Sequence, residues 1–244
     1  MASFGPIAPH YDLLMANVPY DMWAGYYRLL LTRHELDPDT LLDVCCGTGT
    51  LAELLTEAGY RVTGFDLSAP MVEEARKKAL RQGLDIRYHV ADATDFNLGE
   101  SFQGAYSFFD SLNYITCLEG LQAATRCVAA HLEPGGSFVF DVNTPYAFEQ
   151  HMFDQEDQRK RALIKYSWKG DYDPASRIIR VDMEFERSGE TFHETHVQRA
   201  HSDEEIREAL HASGFASCTA YDSYSLDRPR VRSDRVHYVA LMPF

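Results

Sequence analysis

The sequence predicts an α/β protein with a doubly wound, mostly parallel sheet and a small antiparallel β insertion. The first observation is an apolar run over residues 41–46, which breaks into Gly47-Thr48-Gly49 and continues at once as a helical pattern. The second is that predicted strands and helices go on alternating as far as residue 143, which is typical of parallel strands joined by helices. The third is a change of rhythm over residues 162–199, where three predicted strands follow one another without a helix.

Length and composition exclude several classes of protein. The 244 residues suit one domain with an insertion, and a hydrophobic share of 45% supplies ample material for a core. The net charge of −14 argues against a nucleic-acid backbone or an anionic membrane as the main partner, since such binders usually present a basic face. No stretch approaches the roughly 20 apolar residues of a membrane span, and no signal peptide is evident. We therefore expect a cytoplasmic protein with reduced cysteines.

The chain before the predicted sheet, residues 1–37, is expected to form an N-terminal helical cap. Residues 1–17 show no helical or strand period, whereas Pro19 opens a predicted helix that Asp37-Pro38 brings to an end. The larger side chains on one face of that helix are Tyr20, Trp23, Tyr27, Leu30 and Leu31. This stripe is explained mostly by core packing, but Tyr11 lies outside any period and is less easily explained in that way.

The glycine turn is the feature around which the predicted core is arranged. Residues 41–46 have the length and the lack of alternation expected of a strand buried on both faces. A glycine turn between such a strand and a helix N-terminus leaves backbone N–H groups pointing outward and lets a ligand approach the main chain. The next predicted strand, residues 61–65, ends in Asp66. Strand, glycine turn, helix, strand and acid make half of a nucleotide-binding sheet.

Further acids follow the later strands of the predicted core. A helix is expected to start at Ser68, as a capping serine, and to stop at Gly83. The remaining parallel strands are predicted at residues 86–91, 105–109 and 137–142. A single aspartate after a strand is more often a cap or a turn residue, but Asp66, Asp92 and Asp110 all follow strand ends. Because those ends meet at one edge of an open α/β sheet, we expect a ligand-binding crevice there.

The insertion is predicted to be an antiparallel sheet with one face exposed to solvent. Its strands are expected at residues 162–169, 178–187 and 190–199, and apolar side chains alternate with charged ones in the middle strand. A capping box of Ser202 and Glu205 then begins a helix that stops at Gly214. Two last strands, at about residues 216–224 and 235–241, complete the predicted sheet.

The run His193-Glu194-Thr195-His196 does not have the spacing of a metal site. The helical zinc pattern needs His-Glu-x-x-His, and on a strand His193 and His196 face opposite sides. We interpret the run as a solvated strand face, while His196 could still point into a pocket for the acceptor. We expect no bound metal.

Several motifs, taken in order along the chain, resemble the class I S-adenosylmethionine-dependent methyltransferases. The matching runs are Asp43-Val-Cys-Cys-Gly47-Thr-Gly49, Gly64-Phe-Asp66-Leu-Ser68 with Met71, Ala91-Asp92-Ala93, Leu132-Glu-Pro-Gly135-Gly136 and Gly214-Phe215. The resemblance implies a seven-stranded Rossmann-like sheet whose last strand is antiparallel. The sequence departs from the commonest glycine pattern at Cys45, where a small, easily buried residue puts little in doubt. The N-terminal segment and the insertion look like the branch of glycine and sugar amine N-methyltransferases.

The resemblance also implies a set of cofactor-binding residues. The backbone at Cys46, Gly47 and Gly49 would hold the methionyl end, Asp43 would support its amino group, and Asp66 would accept the ribose hydroxyls. The residues expected around adenine are Leu67, Met71, Asp92 and Ala93, and those expected near the sulfonium are Asp110 and Ser111. We further expect Tyr11, and less strongly Trp23, to close over the bound cofactor. Carboxylates suit a ligand that is cationic at sulfur and ammonium.

Two other functions were weighed against methyl transfer. Gly47-x-Gly49-x-x-Ala52 with Asp66 also satisfies the dinucleotide fingerprint of a nicotinamide oxidoreductase. Against that class stand Asp43, Asp92-Ala93 and the lack of a separate catalytic domain. A non-catalytic module that binds the cofactor has no positive feature in its favour.

The predicted acceptor is a small molecule with an amine or a hydroxyl group. The sequence lacks the Asn/Asp-Pro-Pro-aromatic motif of enzymes that methylate base amines, and it names no general base. Residues 38–145 and 200–244 are expected to form the methyltransferase core, and residues 146–199 a lid that selects the acceptor. The oligomeric state and the identity of the acceptor do not follow from the sequence.

Overall fold

The computed structural model describes residues 4–159 and 162–244. Its larger sheet contains seven strands: β1 (Thr40–Val44), β2 (Arg61–Asp66), β3 (Arg87–Val90), β4 (Phe102–Ser107), β5 (Leu132–Asn143), β10 (Ser217–Asp222) and β11 (Arg235–Leu241). The smaller sheet contains β6 (Gln155–Asp157), β7 (Lys165–Asp173), β8 (Ile178–Arg187) and β9 (Glu190–Arg199). The helices are α1 (Tyr11–Leu14), α2 (Tyr20–Arg33), α3 (Thr50–Glu57), α4 (Ala69–Gln82), α5 (Leu118–Ala130), α6 (Pro145–Glu149) and α7 (Asp203–Ala212). Short 3-10 helices span Ala8–His10 and Ser111–Tyr114.

The larger sheet confirms the predicted fold class. Its strand order is β10-β11-β5-β4-β1-β2-β3, and β11 is antiparallel to both of its neighbours while the other pairs are parallel. Helices α2, α3 and α4 pack on one face, and α5 and α7 pack on the other. The chain therefore forms a three-layer α/β/α sandwich, and the carboxyl ends of six strands meet at one edge.

The glycine turn begins two residues earlier than predicted, because β1 ends at Val44. Cys45 has a φ of +64°, in the left-handed region, so the chain leaves the sheet there. Glycine adopts this conformation most readily, so the glycine that the resemblance implies at position 45 would suit the observed backbone. Gly49 has a φ of +78°, and a Cβ atom there would lie 2.3 Å from the Tyr88 hydroxyl. A glycine is therefore needed at position 49 for both conformation and space.

Helix α4 begins as predicted, but Ser68 does not cap it with its side chain. Ser68 is the N-cap residue, and its hydroxyl donates instead to the carbonyl of Phe4, at 3.3 Å. Its backbone N–H donates to Asp66 at 2.8 Å. The prediction of a capping serine was therefore right in position and wrong in mechanism, since a neighbouring segment competes for the hydroxyl. Gly83 ends the helix with a φ of +68°.

The predicted antiparallel insertion is present, with one strand more than expected. The order β6-β7-β8-β9 adds the short strand β6, whose three residues are too few to show a period. The apolar face of β8 packs on α6 and on Ile7, while the opposite face is exposed. The insertion is thus an antiparallel sheet whose buried apolar face is turned toward the N-terminal segment.

The N-terminal segment is more regular than the sequence indicated. Residues 1–3, where the predicted cap begins, lie outside the described part of the chain, as do residues 160 and 161 in the insertion. Tyr11 opens the single turn of α1, where no period was predicted, because one turn is too short to produce one. Helix α2 begins after Pro19 and buries the predicted aromatic stripe, of which Tyr20 is partly accessible. No helix in residues 4–159 or 162–244 is long and apolar enough to cross a membrane.

Candidate active site

A cavity of about 1070 Å³ lies at the carboxyl edge of the larger sheet. Its walls come from the glycine turn, the loops after β2, β3 and β4, the N-terminal segment and the smaller sheet. Every residue that the sequence predicted for the cofactor site lines this cavity, except Gly49, whose α-carbon faces Tyr88. The topology therefore brings the predicted residues together at the expected crevice.

Asp66 holds the glycine turn and the start of α4 in place. Its carboxylate accepts the backbone N–H of Gly47 at 2.9 Å and that of Ser68 at 2.8 Å. Burial raises the pKa of Asp66, and the backbone N–H donors partly oppose this effect. Asp66 thus has a structural role in addition to any contact with a ligand. The sequence did not indicate this structural role.

Asp43 is a buried carboxyl at the bottom of the cavity. It stands beside Gly64 in the register of β1 and β2, and only 4% of it is exposed. Burial raises the pKa of Asp43 to about 8, and the negative charge of Asp66 adds to the rise. A cation placed beside Asp43 would restore its charged form. The position therefore fits a ligand that carries an ammonium group.

The residues expected around adenine line the cavity with different degrees of exposure. Leu67 is 61% exposed, whereas Met71 is 2% exposed and Ala93 is also buried. Asp92 accepts the backbone N–H and the hydroxyl of Thr94, at 2.8 and 2.7 Å, so its carboxylate is fixed in an Asx turn. These residues form a shallow wall with an apolar part and one oriented acid.

Asp110 belongs to an ion-pair network that the sequence did not reveal. Its carboxylate accepts from Arg235 and from Gln198, each at 2.8 Å. Arg235 also binds Asp141, which accepts the backbone N–H of Phe109 and of Asp110. The signal that the sequence offered for this network was Asp141, a charged residue inside the apolar run 137–142. The expected free acid near the sulfonium is therefore a paired one, while Ser111 donates to the Phe108 carbonyl at 3.1 Å.

The N-terminal segment forms part of the cavity wall. Tyr11 and Trp23 both line it, and Trp23 packs against Tyr20 and Phe109. Burial raises the pKa of the Tyr11 phenol well above its ordinary value. The segment is fastened by Asp12, which accepts from the Thr48 hydroxyl in the glycine turn and pairs with Lys78 of α4 at 2.8 Å. Nothing in the sequence pattern indicated this anchor.

Strand β9 turns polar side chains toward the cavity. The inward residues Glu194, His196 and Gln198 are 9%, 2% and 2% exposed, whereas His193 is exposed on the other face. The interpretation as a solvated face was therefore right for His193, whereas His196 is buried and lines the cavity, which was the alternative left open for it. The alternation that placed the two histidines on opposite faces contained this signal. No group of potential metal ligands is present in the residues that the structure describes.

Comparisons with known proteins agree with this arrangement. The family described as "Methyltransferase domain" matches residues 41–136, which include the glycine turn and the acids after β2, β3 and β4. A Bacillus subtilis (strain 168) protein that carries a methyltransferase name is 28% identical over 236 residues, 94% of this chain and 93% of the relative. A dTDP-3-amino-3,4,6-trideoxy-alpha-D-glucopyranose N,N-dimethyltransferase of Streptomyces venezuelae is 40% identical over 105 residues, 43% of each chain.

A solved structure extends the agreement to the whole chain. The crystal structure of an S-adenosylmethionine-dependent methyltransferase from Clostridium acetobutylicum ATCC 824 has a TM-score of 0.84 and 27% identity. The match covers 98% of both chains, so it includes the smaller sheet and the N-terminal segment. The protein is therefore an S-adenosylmethionine-dependent methyltransferase, an enzyme whose cofactor is S-adenosylmethionine.

Proposed function

We propose that this enzyme transfers a methyl group to an amine or a hydroxyl of a small molecule, with an amino sugar as the leading acceptor class. The observation that carries the proposal is a single cavity with two unlike walls. One wall is the acidic edge of the larger sheet, and the other is the partly polar inner face of the smaller sheet. The name of the Streptomyces venezuelae relative supports an amino sugar.

The acidic wall would hold the cofactor. Asp43 would face its ammonium, Asp66 its ribose hydroxyls, and the backbone at Cys46 and Gly47 its methionyl end, with Gly49 shaping the turn. Leu67, Met71, Asp92 and Ala93 would surround adenine, and Asp110 and Ser111 would stand near the sulfonium. The raised pKa of Asp43 supports this assignment, because a buried carboxyl beside a cation is stabilised in its charged form.

The opposite wall would bind the acceptor. Two buried polar atoms, Nε1 of Trp168 and Oε1 of Gln198, have no hydrogen-bond partner among the described residues, and both side chains line the cavity. An unpaired buried donor or acceptor is unfavourable, so both atoms favour a ligand with hydroxyl or amine groups. We assign residues 146–199 as the lid that carries this wall, residues 1–37 as a cap, and residues 38–145 and 200–244 as the core.

The chemistry would be an in-line displacement in which the bound sulfonium supplies the methyl group. The chain's own part is to orient the acceptor, to exclude water and to remove one proton. Holding two reactants in a near-attack geometry can supply about 7–11 kcal/mol of the barrier reduction. Tyr11 and Trp23 would exclude water with aromatic surface that offers no strong nucleophile.

The test is an assay of S-adenosylhomocysteine release with purified protein. The acceptor panel would contain dTDP-linked amino sugars, free amino sugars, amino acids, simple amines and phenols. We expect turnover that depends on an amine or hydroxyl acceptor, with the nucleotide-linked amino sugars highest. Release at the background rate with all five classes, from protein that binds S-adenosylhomocysteine by calorimetry, would contradict the proposal.

A further inference from the structure

Two buried side chains and one partly buried tyrosine form a continuous hydrogen-bonded series that ends at the cavity. Oε2 of Glu194 lies 2.8 Å from Nε2 of His196, and Nδ1 of His196 lies 2.8 Å from the hydroxyl of Tyr114. Tyr114 and His196 both line the cavity. Tyr114 follows β4 in the loop that carries Asp110. The hydrogen-bonded series therefore joins the lid to the edge of the larger sheet where the parallel strands end.

The carboxylate fixes the direction of the hydrogen bonds. Burial alone would raise the pKa of Glu194, but hydrogen bonds from His196 and from the backbone N–H of Ile7 and Phe4 hold it below its usual value. An ionised carboxylate can only accept. In neutral His196 the proton is therefore assigned to Nε2, which donates to Glu194, so Nδ1 accepts from the Tyr114 hydroxyl. The lone pairs of the Tyr114 oxygen then remain available to a donor in the cavity.

The surroundings show that these hydrogen-bonded side chains do more than pack the strand against its neighbours. The residue of β8 opposite His196 is Val181, and the inward positions of β8 are otherwise apolar. Buried positions of this kind usually hold apolar residues, because a buried charge is unfavourable without partners. The Phe4 ring packs on the imidazole at 4.4 Å between ring centres and covers it from one side. The imidazole is thus shielded and can exchange a proton with the cavity through Tyr114.

We propose that Tyr114, His196 and Glu194 form a proton relay that removes the acceptor's proton during methyl transfer. Tyr114 would be the catalytic residue that touches the acceptor, and His196 would receive the proton through it. Glu194 would be a positioning residue that orients the imidazole and stabilises its cation. The inference rests on the proposed function, since it assigns a base for an amine or hydroxyl acceptor.

The step balances without a further reactant. A bond forms between the acceptor nitrogen or oxygen and the methyl carbon, and the bond from that carbon to sulfur breaks with its electron pair left on sulfur. The acceptor proton passes to Oη of Tyr114 while the Tyr114 hydroxyl proton passes to Nδ1 of His196. The positive charge that leaves sulfur is thus found on an imidazolium beside Glu194.

The pH dependence follows from the groups around the imidazole. Glu194 faces it from its own strand, and Tyr114 faces it from the loop after β4. Asp110, Tyr11 and Asp66 lie within electrostatic range of Tyr114, whereas β8 presents only Val181. The relay needs neutral His196, so kcat should fall on the acid side as the imidazole becomes protonated.

The first test uses ¹⁵N NMR of the imidazole in the complex with S-adenosylhomocysteine, and it needs no acceptor. We expect the His196 signals of a protonated Nε2 and an unprotonated Nδ1. Tyr114→Phe should move the Nδ1 signal toward that of a free lone pair and leave S-adenosylhomocysteine affinity within about threefold. A proton on Nδ1 would overturn the relay, whatever the acceptor proves to be.

The second test measures kcat and KM against pH with the best acceptor of the panel. His196→Asn and Tyr114→Phe should each lower kcat by about 10²–10³-fold with a smaller change in KM. His196→Asn should also remove the acid limb, and Glu194→Gln should lower kcat with a smaller change in KM. His193→Asn, on the exposed face of the same strand, is the matched control and should change neither kcat nor the acid limb. Wild-type kcat and an intact acid limb in His196→Asn would overturn the relay.

The two proposals fail separately. If no acceptor in the panel is methylated, the proposed function fails for those classes. The ¹⁵N NMR measurement of the His196 tautomer still tests the relay in that case. If turnover is found and the His196→Asn profile matches the wild type, the methyltransferase activity stands and the relay is wrong.

Discussion

At the scale of single residues, the acidic groups of the site have three different roles. Asp43 is buried with a raised pKa and is suited to bind a cation, whereas Asp66 holds the turn through backbone N–H groups. Asp110 is paired with Arg235 and therefore contributes a fixed dipole more than a free charge. The acids at the strand ends are not interchangeable, because their partners differ.

Asp43 predicts a pH-dependent cofactor affinity. Since burial raises its pKa to about 8 in the empty protein, the charged form that attracts an ammonium is a minority below pH 8. S-adenosylhomocysteine affinity should weaken roughly tenfold per pH unit as pH falls below 8, until the pKa in the complex is reached. Calorimetry between pH 6 and 9 measures this, after correction for the α-amino group of the ligand. Asp43→Asn should bind weakly at every pH and without that slope.

The same residue predicts a stability effect in the empty protein. A carboxyl whose pKa is raised by folding stabilises the fold below its unfolded pKa, and this contribution is lost as pH rises through about 8. Asp43→Asn should therefore unfold at a higher temperature than the wild type at pH 9, with little difference at pH 4. Equal melting temperatures at pH 9 would mean that Asp43 is not buried as a free acid.

Asp66 predicts a loss of both cofactor affinity and local order. Asp66→Ala removes two prospective charge-assisted hydrogen bonds to ribose, so we expect a loss of about 2–4 kcal/mol in binding free energy. Because Gly47 and Ser68 also lose their acceptor, amide exchange in the glycine turn should become faster. Asp95→Ala, an exposed acid in the loop after β3, is the control and should leave affinity unchanged. Wild-type affinity in folded Asp66→Ala would exclude the ribose role.

At the scale of elements, the N-terminal segment and the smaller sheet enclose the site together. Glu194 of β9 accepts the backbone N–H of Phe4 and Ile7, and Asp12 fastens the other end of the segment to Thr48 and Lys78. The segment therefore spans the cavity between two anchors.

Closure of the N-terminal segment predicts a change in hydrogen exchange. With S-adenosylhomocysteine bound, amides in residues 5–20 should exchange more slowly, because the rings of Tyr11 and Trp23 gain a ligand surface. Asp12→Asn should speed exchange in the same region of the empty protein, while α7 stays unchanged as an internal reference. Equal exchange with and without ligand would show that the segment is a fixed extension of the fold.

Tyr11→Phe should keep most activity if the ring of Tyr11, and not its hydroxyl, is what matters.

The lid predicts a separation of turnover from cofactor binding. Replacing residues 154–199 by a short Gly/Ser linker should abolish turnover and leave S-adenosylhomocysteine affinity within a few-fold, because the acidic wall lies outside that range. The excision exposes Ala147 and Phe148, so Trp168→Ala is a milder companion variant. It should raise the acceptor KM at constant cofactor affinity. Normal methylation of the same acceptor by the folded, excised protein would contradict the lid assignment.

At the scale of the whole molecule, the cavity lies between parts that are far apart in the chain, so ligand binding should stabilise the fold globally. At about 100 times its Kd, a ligand adds about 2.7 kcal/mol to the free energy of unfolding. For a chain of this size that corresponds to a rise in Tm of about 5–10 °C. S-adenosylhomocysteine should produce this rise in a thermal melt, and NAD at equal concentration should not. A rise with NAD alone would contradict the choice of cofactor.

The sequence by itself determined the fold class, the glycine turn and the acids at the strand ends. These features depend on local signals, namely the period of apolar residues, glycine at positive φ and the alternation of strands with helices. They therefore survive without knowledge of distant neighbours. Even the opposite faces of His193 and His196 followed from the period of a strand.

Tertiary structure decided which of those residues act together. The pairing of Asp110 with Arg235 and Asp141, the chain from Glu194 to Tyr114 and the anchor at Asp12 join residues far apart in sequence. The polar inward face of β9 reads along the chain like a solvated one, because period alone gives two faces and cannot say which is buried. Burial, hydrogen bonding and pKa depend on what packs against a side chain, and that is set only when the smaller sheet and the N-terminal segment pack together at the edge of the larger sheet.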